Sequence, residues 1–239
     1  GYNSLAFHNG SYTYYSRNKT HENFGYSKFI GMGNGMEEGV QQKWPESDLE
    51  MMQYTFDMYA DKEPFSIYYM TVSGHCLYKW TGNSMSARNR DALEIQGIDA
   101  SDTVKAYYAA NLELEYGLKY LVEKLEEKGL ADDTVIVIST DHYPYGLEKS
   151  ESWKNDKDYL SELYGYEVKT PFERDHSRLI IWSGCLEDEE PIVVDTPTYS
   201  VDILPTLSNL FGAKFDSRLL VGRDVFSDAE PLVMWTNYT

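Results

Sequence analysis

The stretch that most constrains the fold is residues 134–146, which read TVIVISTDHYPYG. It begins with an uncharged, β-branched apolar run, residues 135–138, which is typical of a strand buried on both faces of a parallel sheet. A proline and a glycine then mark a turn. Asp141 and His142 therefore follow the carboxyl end of a buried strand directly, and this is where open α/β sheets bind their ligands.

An adjacent carboxylate and imidazole suit a divalent metal of the Mn or Zn type, because such ions accept both hard oxygen and borderline nitrogen donors. The alternative is that Asp141 caps the next element and His142 is a satisfied polar residue. The strand before the pair and the turn after it favour the metal interpretation.

Composition limits the classes of protein that remain. The chain has 239 residues, of which 42% are hydrophobic and 25% charged, as expected for a soluble domain with a sizeable core. A net charge of -18 argues against nucleic acid as a partner, since no basic stripe is present to neutralise phosphates. Cys76 and Cys185 lack CxxC spacing and are predicted to be free, buried thiols. The chain begins with Gly1, which indicates an excised segment of a longer protein.

The other segments extend the α/β pattern. Ser47 and Glu50 form a capping box that predicts the start of a helix, and residues 102–128 predict the longest helix. Because this helix lies between a strand at residues 65–72 and the strand at residues 135–138, it predicts a right-handed crossover within one parallel sheet. Further strands are expected at residues 4–7, 28–30, 177–182 and 232–235, helices at 157–164 and 200–211, and an irregular excursion at 76–101.

Three histidines fall at the predicted strand ends, namely His8, His75 and His142. The carboxyl ends of parallel strands share one edge of the sheet, so these imidazoles are expected to converge on one pocket. Arg17 follows His8 closely, and its planar guanidinium could clamp a phosphate; the alternative is a surface ion pair in a very acidic protein. No G-x-S-x-G nucleophile motif is present.

These residues resemble the extracellular domain of lipoteichoic acid synthases and related phosphoglycerol transferases, which belong to the alkaline phosphatase/sulfatase superfamily. The matching pieces occur in order over nearly the whole chain: His8, Tyr15 and Arg17 followed by GYSKF at 25–29, TVSGH at 71–75, STDH at 139–142, and SVDILPTLSNLFG at 200–212. The resemblance implies an α/β/α sandwich with a mainly parallel central sheet, N-terminally truncated, forming a single domain over residues 1–239.

The resemblance also implies a function. The family moves glycerol phosphate from phosphatidylglycerol to a growing cell-envelope polymer, using a divalent ion that is expected to be Mn, with Mg or Zn as alternatives. The implied roles are metal ligation by Asp141 and His142, holding or protonation of the substrate phosphate by His75, and lining of the glycerol-phosphate pocket by His8, Tyr15 and Arg17.

The family's catalytic threonine and its acidic metal ligand would precede Gly1, so the fragment alone is not expected to turn over. A phospho-threonine intermediate is implied, in a parent anchored by N-terminal helices at the extracellular face of the cell membrane. This sequence departs from the family's pattern at Gly10 or Ser11, where relatives tend to carry an acidic residue that contacts the glycerol. The identity of the transferred head group therefore stays open. The alternatives are a phosphoethanolamine transferase, a sulfatase, or a non-catalytic extracellular binding module.

Overall fold

The computed structural model describes residues 1–234, so the predicted strand at 232–235 is tested only at its first three positions, which form no strand, while Trp235 lies outside the described residues. The chain divides into two units, one formed by Gly1–Glu187 and the other beginning at Asp188. Within residues 1–234, no helix combines the length and the apolar character needed to cross a membrane.

A three-stranded parallel sheet organises the first unit, with β1 between β2 and β3. Its strands are β1 (Asn3–Ser11), β2 (Lys28–Met32) and β3 (Phe65–Met70). The predicted end of the first strand at residue 7 is wrong, and His8 lies inside β1. The strand is longer because β1 pairs with a neighbouring strand on each side. Phe7 is in register with Ile30 of β2, and His8 is in register with Met70 of β3, so the hydrogen-bonded ladder continues past the apolar run.

Side chains of β1 alternate between two faces of this sheet. On the Phe7 face, α2 (Asp48–Thr55) and α5 (Asp102–Glu127) pack against each other and build the main core. The core residues include Phe7, Met51, Met52, Phe56, Tyr59, Leu121 and Leu125. On the His8 face, α1 (Arg17–Asn23) places His21 in a stack on Phe29, with ring centroids 4.5 Å apart.

The helix α5 matches its predicted bounds to within one residue. Its buried face carries small residues and Glu113 as well as Leu121 and Leu125, while Tyr108 is 37% exposed. The physical reason is close packing against α2. A Cβ added at Gly117 would lie 2.9 Å from Met52 Sδ and 3.3 Å from the backbone nitrogen of Leu49, so a larger residue would require both neighbours to shift.

The strand β4 (Val135–Ser139) pairs antiparallel with β5 (Leu179–Ser183), and Val137 is in register with Ile181. The predicted crossover of this strand into the parallel sheet is therefore wrong, because its ladder partner is β5. Burial on both faces is also wrong, since residues 135–138 are half-buried. A short apolar β-branched run predicts a strand but contains no signal for its direction. The α/β class with a parallel sheet is confirmed.

The remaining elements are short. The region predicted to be irregular contains α3 (Ser84–Arg88) and α4 (Leu93–Gln96), and the charged segment after β4 contains α6 (Tyr159–Tyr164) and α7 (Pro171–Arg174). Both cysteines are free as predicted, with Cys76 buried, but Cys185 is exposed and its predicted burial is wrong.

The second unit contains α8 (Ile203–Leu210), entered through a single 3-10 turn, where one long helix was predicted. Asp202 anchors its start: Oδ2 accepts the N–H of Tyr199 at 2.8 Å, and Oδ1 accepts the N–H of Arg223 at 2.8 Å. The helix ends before Gly212, which has a φ of +62°.

Candidate functional site

His8 is held in a defined orientation near the carboxyl end of β1. It is 6% exposed, and its Nδ1 lies 2.8 Å from the carbonyl oxygen of Met70, which can only accept a hydrogen bond. Nδ1 therefore donates, and Nε2 is left as the free nitrogen. Burial lowers the pKa of His8, and the nearby charge of Arg17 lowers it further. The imidazole lies over Gly10, because a Cβ added there would be 2.5 Å from His8 Nε2.

Arg17, which is half-buried, forms cation–π contacts with two exposed tyrosines. The guanidinium carbon lies 5.3 Å from the centroid of the Tyr15 ring and 5.8 Å from that of Tyr14, which is cation–π geometry. Tyr15 is 74% exposed. Among the described residues Arg17 has no carboxylate within ion-pair distance, so its charge is available to an anion.

His75 lies in the loop that follows β3. Its Nδ1 donates to the backbone oxygen of Cys76 at 3.0 Å, and its ring meets the indole of Trp44 edge-on with centroids 5.0 Å apart. The pKa of His75 is raised, chiefly by its side-chain contact with Cys76 and also by the carboxylate of Asp141. Asp141 is therefore within electrostatic reach of His75.

Asp141 and His142 form an exposed donor pair directly after β4. Nδ1 of His142 donates to the backbone oxygen of Tyr143 at 2.8 Å, which leaves Nε2 as the free nitrogen, 3.5 Å from Asp141 Oδ1. Two ligands that each lie about 2.0–2.2 Å from a divalent ion are roughly 3–3.5 Å apart, so this spacing suits shared coordination. Within residues 1–234 no group of three or more His, Cys, Asp or Glu side chains is arranged to hold a metal ion. The pair thus fits part of a metal site.

Tyr68 of β3 links the two sides of this arrangement. Burial raises the pKa of Tyr68, Arg17 lowers it and Asp141 raises it, so the phenol is within electrostatic reach of both charges. Asp141 also contributes to the raised pKa of Tyr145, about 12, after burial and the Cys76 contact. Convergence of the predicted residues on one pocket stays a prediction. Their roles remain predictions.

Sequence reasoning missed Asp48, which connects the segments that bear His8 and His75. The carboxylate is fully buried; Oδ1 accepts Asn9 Nδ2 at 2.7 Å and the N–H of Val72 at 2.9 Å. Oδ2 accepts the N–H of Ser73 at 3.2 Å and also the hydroxyl of Ser73. Only its place in the first turn of a predicted helix could be read from the sequence.

His8 and His75 are expected to titrate on opposite sides of pH 6.5, since burial lowers the pKa of His8 and the Cys76 contact raises that of His75. Because folding makes His8 harder to protonate, its contribution to stability is present above pH 6.5 and is lost as the pH falls. Long-range proton–nitrogen NMR spectra across a pH series measure both values, with His8→Gln and His75→Gln supplying the assignments. A titration midpoint for His8 above that of His75 would contradict the structure.

Comparison with known proteins places this arrangement in a family. The family model described as Sulfatase matches residues 1–213. The lipoteichoic acid synthase of Staphylococcus saprophyticus is 27% identical over 229 residues, which cover 95% of this chain and 33% of that protein. The chain spans about a third of the length of the curated relatives it matches.

Solved structures share the fold. The lipoteichoic acid synthase LtaP from Listeria monocytogenes matches 94% of this chain and 53% of its own, with a TM-score of 0.66 and 20% identity. The Streptococcus pyogenes phosphoglycerol transferase GacH, in complex with sn-glycerol-1-phosphate, matches 87% of this chain and 50% of its own, with a TM-score of 0.58 and 16% identity. The resemblance inferred from the motifs is thus confirmed, and this chain belongs to the sulfatase family, within the alkaline phosphatase/sulfatase superfamily.

Proposed function

We propose that this chain is part of a metal-dependent phosphoglycerol transferase of the lipoteichoic acid synthase type. The observation that carries the proposal is the Asp141–His142 donor pair, which lies within electrostatic reach of His75. The proposed donor is a phosphatidylglycerol-type lipid and the proposed acceptor a glycerol-phosphate polymer. A membrane-anchored parent would carry the chain at the extracellular face of the cell membrane. The names of the relatives support this choice.

The residues of this chain suit distinct tasks in such a transfer. Arg17 supplies a fixed positive charge for phosphate oxygens, since no carboxylate among the described residues lies within ion-pair distance of it. His8, neutral with Nε2 free, accepts a hydrogen bond from a glycerol hydroxyl. The raised pKa of His75 favours its protonated form, which can donate to a phosphate oxygen or to the departing oxygen.

Asp141 and His142 would hold the divalent ion, with Mn as the proposed metal. When bound, the ion would neutralise charge on the phosphate oxygens and favour ionisation of a hydroxyl nucleophile. We place that nucleophile, a threonine, and a further acidic ligand in a part of the longer protein outside this chain. The threonine oxygen forms a bond to phosphorus as the bond to the diacylglycerol oxygen breaks, and the departing oxygen takes a proton from His75. The oxygen of an acceptor hydroxyl then forms a bond to phosphorus as the bond to the threonine oxygen breaks, and the acceptor's proton returns to His75.

A transfer assay with the parent protein tests the proposal. In vesicles containing phosphatidylglycerol and Mn²⁺, His75→Gln is expected to lower diacylglycerol release by about 100-fold or more, as befits loss of an acid catalyst. Glu126→Gln, an exposed change on α5, is the matched control and should retain full release.

Three outcomes would contradict parts of the proposal. Release from phosphatidylethanolamine in place of phosphatidylglycerol would support the phosphoethanolamine transferase alternative. Hydrolysis of an aryl sulfate would support a sulfatase. Diacylglycerol release by residues 1–239 alone would show that the nucleophile lies within this chain.

A further inference from the structure

The loop that carries His75 is held by a buried amide. Asn83, the residue that caps α3, is 1% exposed, and its Nδ2 donates to the backbone oxygens of His75 and Leu77, both at 2.9 Å. The carbonyl between them, that of Cys76, accepts from Nδ1 of His75 at 3.0 Å. Three consecutive carbonyls of the loop are therefore occupied, two by one amide and the third by the imidazole itself.

The orientation of this amide is fixed by the helix that it caps. Asn83 Oδ1 accepts the N–H groups of Met85 and Ser86, at 3.1 and 2.9 Å, so Nδ2 is the end that faces the His75 loop. The helix is itself attached to α5, because Ser86 Oγ donates to the backbone oxygen of Ala106 at 2.7 Å. The amide therefore joins the loop of His75 to the core of the first unit.

The first residue of α3 holds the ring against which the imidazole packs. The N–H of Ser84 donates to the backbone oxygen of Trp44 at 3.1 Å. Its hydroxyl lies 2.7 Å from the backbone oxygen of Lys43 and 2.5 Å from that of Pro45, and it donates to one of them at a time. Since the indole of Trp44 meets the ring of His75, the start of α3 holds both the imidazole and its neighbour.

We propose that Asn83 is a positioning residue for the proposed transfer: by holding the two flanking carbonyls, it directs the Cys76 carbonyl to Nδ1 of His75 and keeps Nε2 as the nitrogen that exchanges protons with the substrate. The hydrogen bond at one imidazole nitrogen decides which nitrogen carries the proton in the neutral ring. The thiol of Cys76 also lies 3.6 Å from Nδ1, but a thiol is a weak donor, so the carbonyl at 3.0 Å sets the tautomer. The role in transfer rests on the proposed function, whereas the tautomer does not.

Long-range proton–nitrogen NMR spectra of the whole 239-residue chain test the tautomer without an activity assay. At about pH 9, where an imidazole is neutral, the unmodified chain should carry the His75 proton on Nδ1. Asn83→Ser keeps an oxygen that can cap α3 but removes the NH₂ group, and it should give a mixture of both tautomers. Cys76→Ala should retain the Nδ1 form. A proton on Nε2 in the unmodified chain, or a tautomer that changes in Cys76→Ala, overturns the proposal, and these two spectra decide the case even if Asn83→Ser does not fold.

Diacylglycerol release by the parent protein measures the consequence for transfer. Asn83→Ser should lower kcat by about tenfold and leave KM within about twofold, because the orientation of the acid is lost while the contacts to the lipid remain. Asp158→Ser makes a matched change at the cap of α6, where Oδ1 accepts the N–H of Leu160 at 3.0 Å, and it should change neither quantity. An unchanged kcat in Asn83→Ser, or an equal loss in Asp158→Ser, overturns the positioning role. The Nδ1 tautomer in a chain whose parent releases no diacylglycerol would retain the orientation and reject the transferase.

Discussion

The variant Asp48→Ala is expected to lower the free energy of unfolding by about 3–5 kcal/mol, because it leaves several buried donors without an acceptor at roughly 1–3 kcal/mol each. The donors are the backbone N–H groups of Val72 and Ser73, the hydroxyl of Ser73 and the amide of Asn9. No side-chain cation pairs with this carboxylate among the described residues, so the penalty arises from lost hydrogen bonds.

The same change should disturb the site, since Asn9 follows His8 and Ser73 precedes His75 by two residues. Asp48→Asn should give a smaller loss, because the amide keeps one acceptor oxygen, although its NH₂ group cannot accept from the remaining donors. Urea unfolding measures the stability, and histidine NMR signals measure the site. Asp57→Ala, an exposed aspartate just after α2, is the control. If the Asp48→Ala and Asp57→Ala variants have equal urea midpoints and equal histidine NMR spectra, Asp48 does not support the fold or the site in this way.

Removing either member of the donor pair is expected to abolish metal binding without unfolding the protein. The side chains of Asp141 and His142 are 76% and 44% exposed, so Asp141→Asn and His142→Gln leave no cavity and should keep the thermal midpoint unchanged. Each substitution removes one of the two Mn²⁺ ligands proposed for this chain. We expect the affinity for Mn²⁺ to fall by more than about 100-fold, a larger loss than is usual when a supporting residue is removed.

Electron paramagnetic resonance of free Mn²⁺ measures this binding directly, in the isolated chain and in the parent. Asp133→Asn, an exposed aspartate shortly before β4, removes the same charge at a neighbouring position and should bind as the original chain does. Retained Mn²⁺ affinity in the Asp141→Asn variant would show that the metal is held elsewhere. In the parent, the same two variants should lose phosphoglycerol transfer in proportion to metal binding.

Local signals predicted the helices well. Ser47 caps α2 as expected, with its Oγ accepting the N–H of Glu50 at 3.0 Å. The reciprocal half of the capping box is absent from the hydrogen bonds of these residues, because the carboxylate of Glu50 binds Arg88 at 2.7 Å and the N–H of Gln41 at 2.8 Å. Arg88, which is distant in sequence, thus binds a carboxylate that the local pattern assigned to the capping box.

Strand pairing and the supporting residues of the site could not be predicted in the same way. The run before Asp141 predicts a strand, but whether β5 pairs with it antiparallel depends on contacts 40 to 48 residues away. The resemblance identified the exposed charged residues because they occur in short motifs. Asp48 lacks such a motif, and its interest comes from burial, which arises only when α2 packs against the parallel sheet.

The glycine at position 117 gives the long helix an influence on chemistry that it does not touch. Its absent side chain lets α5 approach the start of α2, where an added carbon would come within 3.4 Å of the backbone of Asp48. A methyl group here would require Met52 and the first turn of α2 to shift by a few tenths of an ångström, and that turn carries the carboxylate that binds Val72 and Ser73. Tolerance to substitution along α5 is therefore expected to be uneven, with variation accepted on its solvent side and resisted at position 117.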